Sequence, residues 1–103
     1  MTQLTAQEVK EKIANKENFV LDLFASWCGP CRVLMGNLAA LERSENVLPM
    51  SIYTLDIDND RDFVQELGIR SVPTLKVYKG GDEVFSNVGV MSQSQLLEVF
   101  SKN

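Results

Sequence analysis

The chain has 103 residues, enough to bury a core without a metal or a disulfide as a staple, and we expect one domain over residues 1–103. Hydrophobic residues make up 45% and charged residues 23%, and no apolar run approaches the roughly 18 residues of a membrane span. The net charge of −4, from interspersed acidic and basic residues, disfavours nucleic acid and anionic membranes as partners. There is no histidine, which excludes His-dependent nucleophile pairs and every His-ligated metal site.

The first ten residues, MTQLTAQEVK, contain no basic stretch followed by an apolar one. We therefore expect no secretory signal and a location in the reducing cytoplasm. Thr5 and Glu8 have the spacing of a capping box, and Leu4 and Val9 stand at the positions of a hydrophobic staple. These signals predict that a helix begins directly after Thr5.

Residues 19 to 25, FVLDLFA, form an apolar run that predicts a strand buried on both faces, with Asp22 in its middle. A second helix is predicted from about the cysteines to Ser44, because apolar side chains recur there at helical spacing. The residues with this spacing are Cys31, Leu34, Met35, Leu38 and Leu41.

The second half of the chain alternates short strands and helices. The predicted elements are a strand at 50–57, a helix at 58–67 stopped by Gly68, strands at 74–78 and 83–88 joined by a hairpin turn, and a last helix opened by a capping box of Ser92 and Gln95. The order is therefore α β α β α β β α. Helical crossovers followed by a hairpin indicate an α/β fold, with a central mixed sheet of about four strands flanked by helices on both faces.

Two cysteines lie where the buried strand leads into the second helix, in the sequence WCGPC at 27–31. We expect Cys28 at the start of that helix, where free amide N–H groups and the helix dipole stabilise a thiolate, the nucleophilic form. Cys31, one turn later, can reach Cys28 and close a small disulfide ring. Pro30 suits an early helical position, because its missing N–H would have had no partner there.

Two other interpretations of the cysteine pair compete with redox chemistry. One is half of a zinc site, but a closed site needs about four ligands and the chain has no further Cys or His. The other is a purely structural disulfide, which would constrain little chain entropy across two intervening residues. A redox-active pair is therefore favoured over both.

Three aspartates match the first ligand spacing of a calcium-binding EF-hand loop: Asp56, Asp58 and Asp60. However, Arg61 stands where that loop needs glycine, and Leu67 stands where it needs glutamate. We expect the aspartates to cap the helix that starts near Asp58, and we expect no metal site.

Three stretches of the chain together resemble the thioredoxin family. Residues 19–31 are similar to the family's buried strand, acidic residue and active-site turn. The stretch GIRSVPT at 68–74 is similar to the loop with the family's cis-proline, and VGVMS at 88–92 to the glycine turn before its last helix. The order of elements also matches the thioredoxin fold over almost the whole chain.

The resemblance implies a role for each of four residues. Cys28 would be the attacking cysteine and Cys31 the resolving cysteine. Asp22 would be the buried acid that moves protons for Cys31. Pro73 would be the cis-proline that faces the disulfide and lets a substrate strand pair with the neighbouring backbone.

A small apolar surface around Cys28 is expected to bind extended client peptides through backbone hydrogen bonds. Trp27 is either a core residue or a partly exposed neighbour of the cysteines, and we include it in this surface. The other residues of the surface are Gly29, Pro30, Val72, Pro73, Gly89 and Val90. We interpret Arg32 as a solvated helix charge, with a role beside Cys31 as the alternative.

Two positions depart from the usual thioredoxin pattern. Thr54 stands where the family commonly has a lysine near the buried acid, so no evident cation offsets the burial of Asp22, and the pKa of Asp22 should lie above about 3.9. Gly36 replaces a proline that commonly kinks the active-site helix. Glycine permits a bend but does not impose one.

The predicted function is that of a protein-disulfide reductase, a thiol–disulfide oxidoreductase that reduces client proteins through a Cys28/Cys31 dithiol–disulfide cycle. Such a protein needs no bound cofactor, but an enzyme of the thioredoxin-reductase type must reload it, and we expect it to act as a monomer. Two alternatives stay open: a binding module whose cysteines are dispensable, and an oxidant or isomerase of an oxidising compartment. Gly-Pro between the cysteines and the missing signal both disfavour the second alternative.

Overall fold

The structure is a computed structural model that describes residues 1–44 and 48–103. Its elements in chain order are β1 (Thr2–Gln3), α1 (Ala6–Ala14), β2 (Phe19–Phe24), α2 (Gly29–Arg43), β3 (Ser51–Asp56), α3 (Arg61–Glu66), β4 (Thr74–Lys79), β5 (Asp82–Val88) and α4 (Gln93–Lys102). None of the helices in these two ranges has the length and apolar character needed to cross a membrane.

The described strands form one mixed sheet with the order β1-β3-β2-β4-β5. The strand β2 is central, because it pairs in parallel with β3 and antiparallel with β4. The described strands of this sheet number five where about four were expected, since β1 was not predicted. Two residues are too few to show an alternating pattern, and β1 is recognised only through its parallel pairing with Tyr53 and Thr54 of β3.

The sheet is covered by helices on both faces, as predicted. One apolar cluster joins it to α1 and α3, and a second joins it to α2 and α4. Successive side chains of β2 alternate between them: Phe19, Leu21 and Leu23 belong to the first cluster and Val20 to the second. The apolar run in β2 is therefore continuous because both of its faces are buried.

The predicted helix boundary signals are confirmed at three helix ends. Thr5 with Glu8, and Ser92 with Gln95, form complete capping boxes at the starts of α1 and α4. Gly68 has φ +73° directly after α3, a conformation that glycine adopts without steric cost.

The predicted start of α3 was wrong, because the helix begins at Arg61 rather than near Asp58. Asp60 is its N-cap, and the Asp60 side chain accepts the Phe63 N–H at 3.0 Å. The Asp56 carboxylate accepts the Asp58 N–H at 2.9 Å and so stabilises the preceding turn. Each of the three aspartates could serve as an N-cap residue. The helix starts after Asp60, because its carboxylate accepts the N–H of the residue three positions later.

The turn between β4 and β5 lies close to α1. Lys79 pairs with Asp82, and the two turn residues Gly80 and Gly81 both have positive φ, as a type I′ hairpin turn requires. A Cβ on Gly81 would lie 2.6 Å from the carbonyl oxygen of Ile13. This turn therefore needs glycine for its conformation and for its close approach to α1.

Candidate active site

One end of the sheet collects several loops. The parallel strands β2 and β3 both end there, at Phe24 and Asp56. The antiparallel strand β4 begins there at Thr74, and β5 ends there at Val88, which pairs with Thr74. The loops that follow β2, β3 and β5, and the loop that precedes β4, therefore meet at this rim.

The cysteine pair lies at this rim, at the start of α2. Cys28 is the N-cap residue, Pro30 occupies the first turn, and Cys28 and Cys31 form a disulfide with their Cα atoms 5.3 Å apart. The Cys31 N–H donates to the Cys28 sulfur at 3.2 Å. Cys28 is 5% exposed and Cys31 is fully buried, so Cys28 is the more accessible residue of the pair.

Asp22 lies inside the sheet next to these elements. It shares the face of β2 that packs against α2 and α4, and it is fully buried. Neither of its carboxylate oxygens has a hydrogen-bond partner among residues 1–44 and 48–103. Burial raises the pKa of Asp22 from its ordinary value of 3.8 to about 7. The register places uncharged Thr54 and Leu75 on either side of Asp22, and the upward direction agrees with the expectation from the sequence.

Trp27 is a surface residue rather than a core residue, with 67% of its area exposed. Its indole N–H donates to the Asp58 carboxylate at 2.9 Å. This contact joins the loop before α2 to the loop after β3. From the sequence, Asp58 was expected only to cap a helix; its contact with Trp27 has no local signal, because the residues are 31 positions apart.

The loop before β4 lies beside Cys28, and the turn after β5 is bonded to that loop. The bond between Val72 and Pro73 is cis, and the Val72 carbonyl oxygen lies 3.7 Å from the Cys28 sulfur. Gly89, at φ +102°, donates its N–H to the Pro73 carbonyl at 2.9 Å, which ties the two segments together. Val90 is 43% exposed beside this tie.

Most residues of the predicted apolar surface are accessible at this rim. Trp27, Gly29, Pro30 and Val90 are exposed, and Val72 and Gly89 are half-buried. Pro73 differs, because it is buried, has no backbone N–H and accepts the Gly89 N–H at its carbonyl. Below the surface, Ala25, Cys28 and Cys31 form a small cluster against which Phe24, Ile57 and Val72 pack.

Three further residues of α2 lie beyond the cysteines: Arg32, Gly36 and Asn37. Arg32 is exposed, as expected, but its guanidinium also donates to the Ser26 carbonyl at 2.9 Å. The helix runs through Gly36 without a break. The Asn37 amide donates to the Met91 carbonyl at 2.9 Å, a contact with no local sequence signal because the two residues are 54 positions apart.

The comparison with protein families decides where this chain belongs. The family model described as Thioredoxin matches residues 1–102. The chain belongs to the thioredoxin family. Among curated relatives, the thioredoxin of Chlamydia muridarum is 35% identical over 102 residues, covering 89% of this chain and 97% of its own. Thioredoxin-2 of Saccharomyces cerevisiae is 37% identical over 91 residues, covering 86% of each chain.

Solved thioredoxin structures resemble this thioredoxin-family chain over almost its full length. The Fasciola hepatica thioredoxin superposes with a TM-score of 0.83 at 27% identity, covering 99% of this chain and 98% of its own. The Plasmodium falciparum thioredoxin superposes with a TM-score of 0.80 at 28% identity, with the same coverage. The family, the fold and the cysteine pair identify the chain as a thiol–disulfide oxidoreductase that acts as a protein-disulfide reductase.

Proposed function

We propose that this chain reduces client disulfides in two steps, with Cys28 as the attacking residue and Cys31 as the resolving residue. The Cys28 thiolate attacks one sulfur of the client disulfide. A bond forms between that sulfur and Cys28, the client S–S bond breaks, and the released client sulfur takes up a proton. The Cys31 thiolate then attacks the Cys28 sulfur, which forms the Cys28–Cys31 disulfide and releases the second client thiol. Two electrons pass from the protein to the client.

The position of Cys28 at the N-cap of α2 is the main support for its role as nucleophile. The positive end of the helix dipole and the Cys31 N–H, 3.2 Å from the Cys28 sulfur, both favour negative charge on that sulfur. Cys31 is fully buried, so it cannot attack a client disulfide directly and reacts only with the mixed disulfide formed on Cys28. The order of attack follows from this difference in exposure.

Asp22 is proposed as the group that accepts and returns the proton of Cys31. It is a fully buried acid with a pKa of about 7, and a group that titrates near neutral pH can both take and give a proton under cellular conditions. Its face of β2 packs against α2, the helix that contains Cys31. Neither of its oxygens is bound by the described residues, so both remain available for that proton.

Clients are proposed to bind as extended segments across the rim. Trp27, Gly29, Pro30 and Val90 offer exposed, mostly apolar area, while the backbone of Val72, the residue before Pro73, would pair with the client strand. The Val72 carbonyl is 3.7 Å from the Cys28 sulfur, so a client paired there would bring its own sulfur close to the nucleophile. Recognition through the backbone selects little among client side chains.

The chain is proposed to act as one domain and as a monomer in the cytoplasm, without a bound cofactor. A thioredoxin-reductase-type enzyme would return it to the dithiol form after each cycle. The reductase direction requires a low potential, and thioredoxin has one of about −270 mV.

Turnover of a disulfide-bonded client protein with a reductase and its electron donor tests this proposal. The parent should catalyse many turnovers, and the Cys28→Ser/Cys31→Ser double variant should catalyse none. If the double variant fully replaces the parent in cells, the protein is a binding module and not a reductase. Equilibration of the cysteine pair with glutathione tests the direction separately, because a potential near the oxidant value of about −120 mV would contradict the reductase assignment.

A further inference from the structure

The turn between β5 and α4 forms one side of the proposed client surface, and it is held at two points. Gly89 is tied to the loop before β4 by its N–H, which donates to the Pro73 carbonyl at 2.9 Å. Met91 is tied to α2, because its carbonyl accepts the Asn37 amide at 2.9 Å. Val90 lies between these ties and is 43% exposed.

The hydrogen bond to Met91 is donated by the side chain of Asn37, whereas the hydrogen bond to Pro73 is donated by the backbone of Gly89. Asn37 is half-buried and Met91 is buried, so the hydrogen bond is partly shielded from water that would otherwise compete for the carbonyl. Asn37 also directly follows Gly36, and glycine restricts the helix backbone less than any other residue type does. The hydrogen bond from Asn37 to Met91 therefore fixes α2 and the neighbouring turn relative to each other.

We infer that Asn37 is a positioning residue for client binding: its hydrogen bond to Met91 holds the turn at 89–91 in the orientation that presents Val90 beside Cys28. This inference rests on the proposed client surface. Asn37 does not belong to the start of α2 where the cysteines lie, so it acts on the turn and not on the sulfur chemistry. A client protein that lies across the turn should sense the loss of the tie, whereas a small disulfide that touches only the sulfurs should not.

Steady-state reduction of a disulfide-bonded client protein by Asn37→Leu tests the inference. Leucine has a similar size and favours helix but cannot donate the hydrogen bond. The KM for the client should rise about threefold to tenfold with kcat nearly unchanged, because binding weakens and the chemical step does not. Reduction of a small aromatic disulfide should proceed at the parent rate. Gln93→Leu, a similar change at an exposed residue at the start of α4, should leave every rate at the parent value.

A second variant separates positioning from general destabilisation. In Asn37→Asp, an ionised carboxylate faces the Met91 carbonyl and repels it, so the KM should rise further than in Asn37→Leu. Amide hydrogen exchange should accelerate at Gly89 and Val90 in both variants, while exchange in β2 stays at the parent rate. Faster exchange throughout the sheet would mean that Asn37 only stabilises the fold, and would overturn the inference.

The control reactions distinguish failure of this inference from failure of the proposed function. If the parent itself does not reduce the client protein, the proposed function is wrong. If the parent reduces the client and Asn37→Leu has the same KM, the function stands and the positioning role of Asn37 is wrong. Equal losses on the client protein and the small disulfide would place the effect at the cysteines and would also contradict the inference.

Discussion

The indole N–H of Trp27 donates to the carboxylate of Asp58 at 2.9 Å, which fixes an exposed aromatic ring by its polar edge. The contact joins the loop before α2 to the loop after β3, and it leaves the apolar area of the ring open to solvent. An exposed tryptophan without such a contact would sample several rotamers, and a client would have to restrict them on binding.

Removing the acceptor should therefore weaken client binding. We expect Asp58→Ala to raise the KM for a client protein about twofold to fivefold with little change in kcat, because the ring must be ordered during binding. Asp58→Asn keeps an acceptor oxygen and should behave nearly as the parent. Trp27 is the only tryptophan, so its fluorescence anisotropy decay reports the mobility of the ring directly. Unchanged anisotropy in Asp58→Ala would show that packing, and not this hydrogen bond, holds the ring.

The two cysteines should differ strongly in reactivity in the reduced protein. Iodoacetamide should alkylate Cys28 at least about tenfold faster than Cys31, because Cys28 lies at the helix N-cap and Cys31 is fully buried. Mass spectrometry of briefly treated protein assigns the modified residue, and treatment of the denatured protein supplies the control in which both react alike. Equal rates in the folded protein would contradict the assignment of Cys28 as nucleophile.

The Cys31→Ser variant should accumulate mixed disulfides with clients. Its Cys28 can still attack, but no second thiol is present to release the product. Non-reducing electrophoresis should show client adducts that disappear on adding dithiothreitol. The Cys28→Ser variant should show none, and adducts of similar abundance in both variants would contradict the proposed order of attack.

Asp22 should make the protein less stable as the pH rises. Its folded-state pKa of about 7 lies above its ordinary value of 3.8, so the native state holds the proton more tightly than the unfolded state does. The stabilisation is complete below pH 4 and is lost as the pH rises through 7. A shift of this size corresponds to about 4 kcal/mol at pH 8. Asp22→Ala should therefore be more stable than the parent at pH 8, by about 1–3 kcal/mol after the cost of a small cavity.

Urea denaturation at pH 5 and pH 8 measures this effect. The gain in Asp22→Ala should be large at pH 8 and small at pH 5, whereas Glu66→Ala, which removes an exposed carboxylate, should change neither value much. Release of the mixed disulfide at Cys31 should slow in Asp22→Ala if the proton transfer is real. A variant that is less stable at pH 8 and equally fast would remove Asp22 from the site.

Two glycines should respond to alanine in opposite ways. Gly36 lies inside α2, and a Cβ there would meet no atom within 4 Å, so Gly36→Ala should stabilise the protein by about 1 kcal/mol. Gly81 has φ +83°, and its Cβ would lie 2.6 Å from the Ile13 carbonyl oxygen, so Gly81→Ala should destabilise it. The midpoints of urea unfolding compare the two directly. Loss of stability in Gly36→Ala would contradict the expectation that alanine at position 36 stabilises α2 without meeting a neighbouring atom.

The features predicted from the sequence are those whose physical cause is local. Capping boxes act within four residues, so Thr5 and Ser92 were sufficient to predict two helix starts. The continuous apolar run of β2 indicated a strand covered on both sides, because only double burial removes the need for alternation. The cysteine pair and its place at a helix start were equally visible, since Cys28 to Cys31 is a single turn.

The features that were missed depend on contacts between distant segments. Asp58 and Asn37 form their hydrogen bonds across 31 and 54 positions, and nothing in their immediate neighbours indicates a partner. The strand β1 exists only because β3 offers it an edge. The start of α3 was misplaced for a different reason, since three aspartates compete for the same cap and only the folded geometry selects Asp60.

The spacing of the two cysteines has a consequence for how the protein exchanges electrons. Their Cα atoms are 5.3 Å apart at the N-cap and in the first turn of α2, close to the separation that a helix gives residues three positions apart. Formation or cleavage of the Cys28–Cys31 disulfide therefore requires very little movement of the backbone. The protein surface would then have nearly the same shape in the dithiol and disulfide states. Partners would have to distinguish the two states by direct contact with the sulfur atoms. The direction of electron flow would then be decided by the relative potentials of the partners, and not by a conformational gate in this chain.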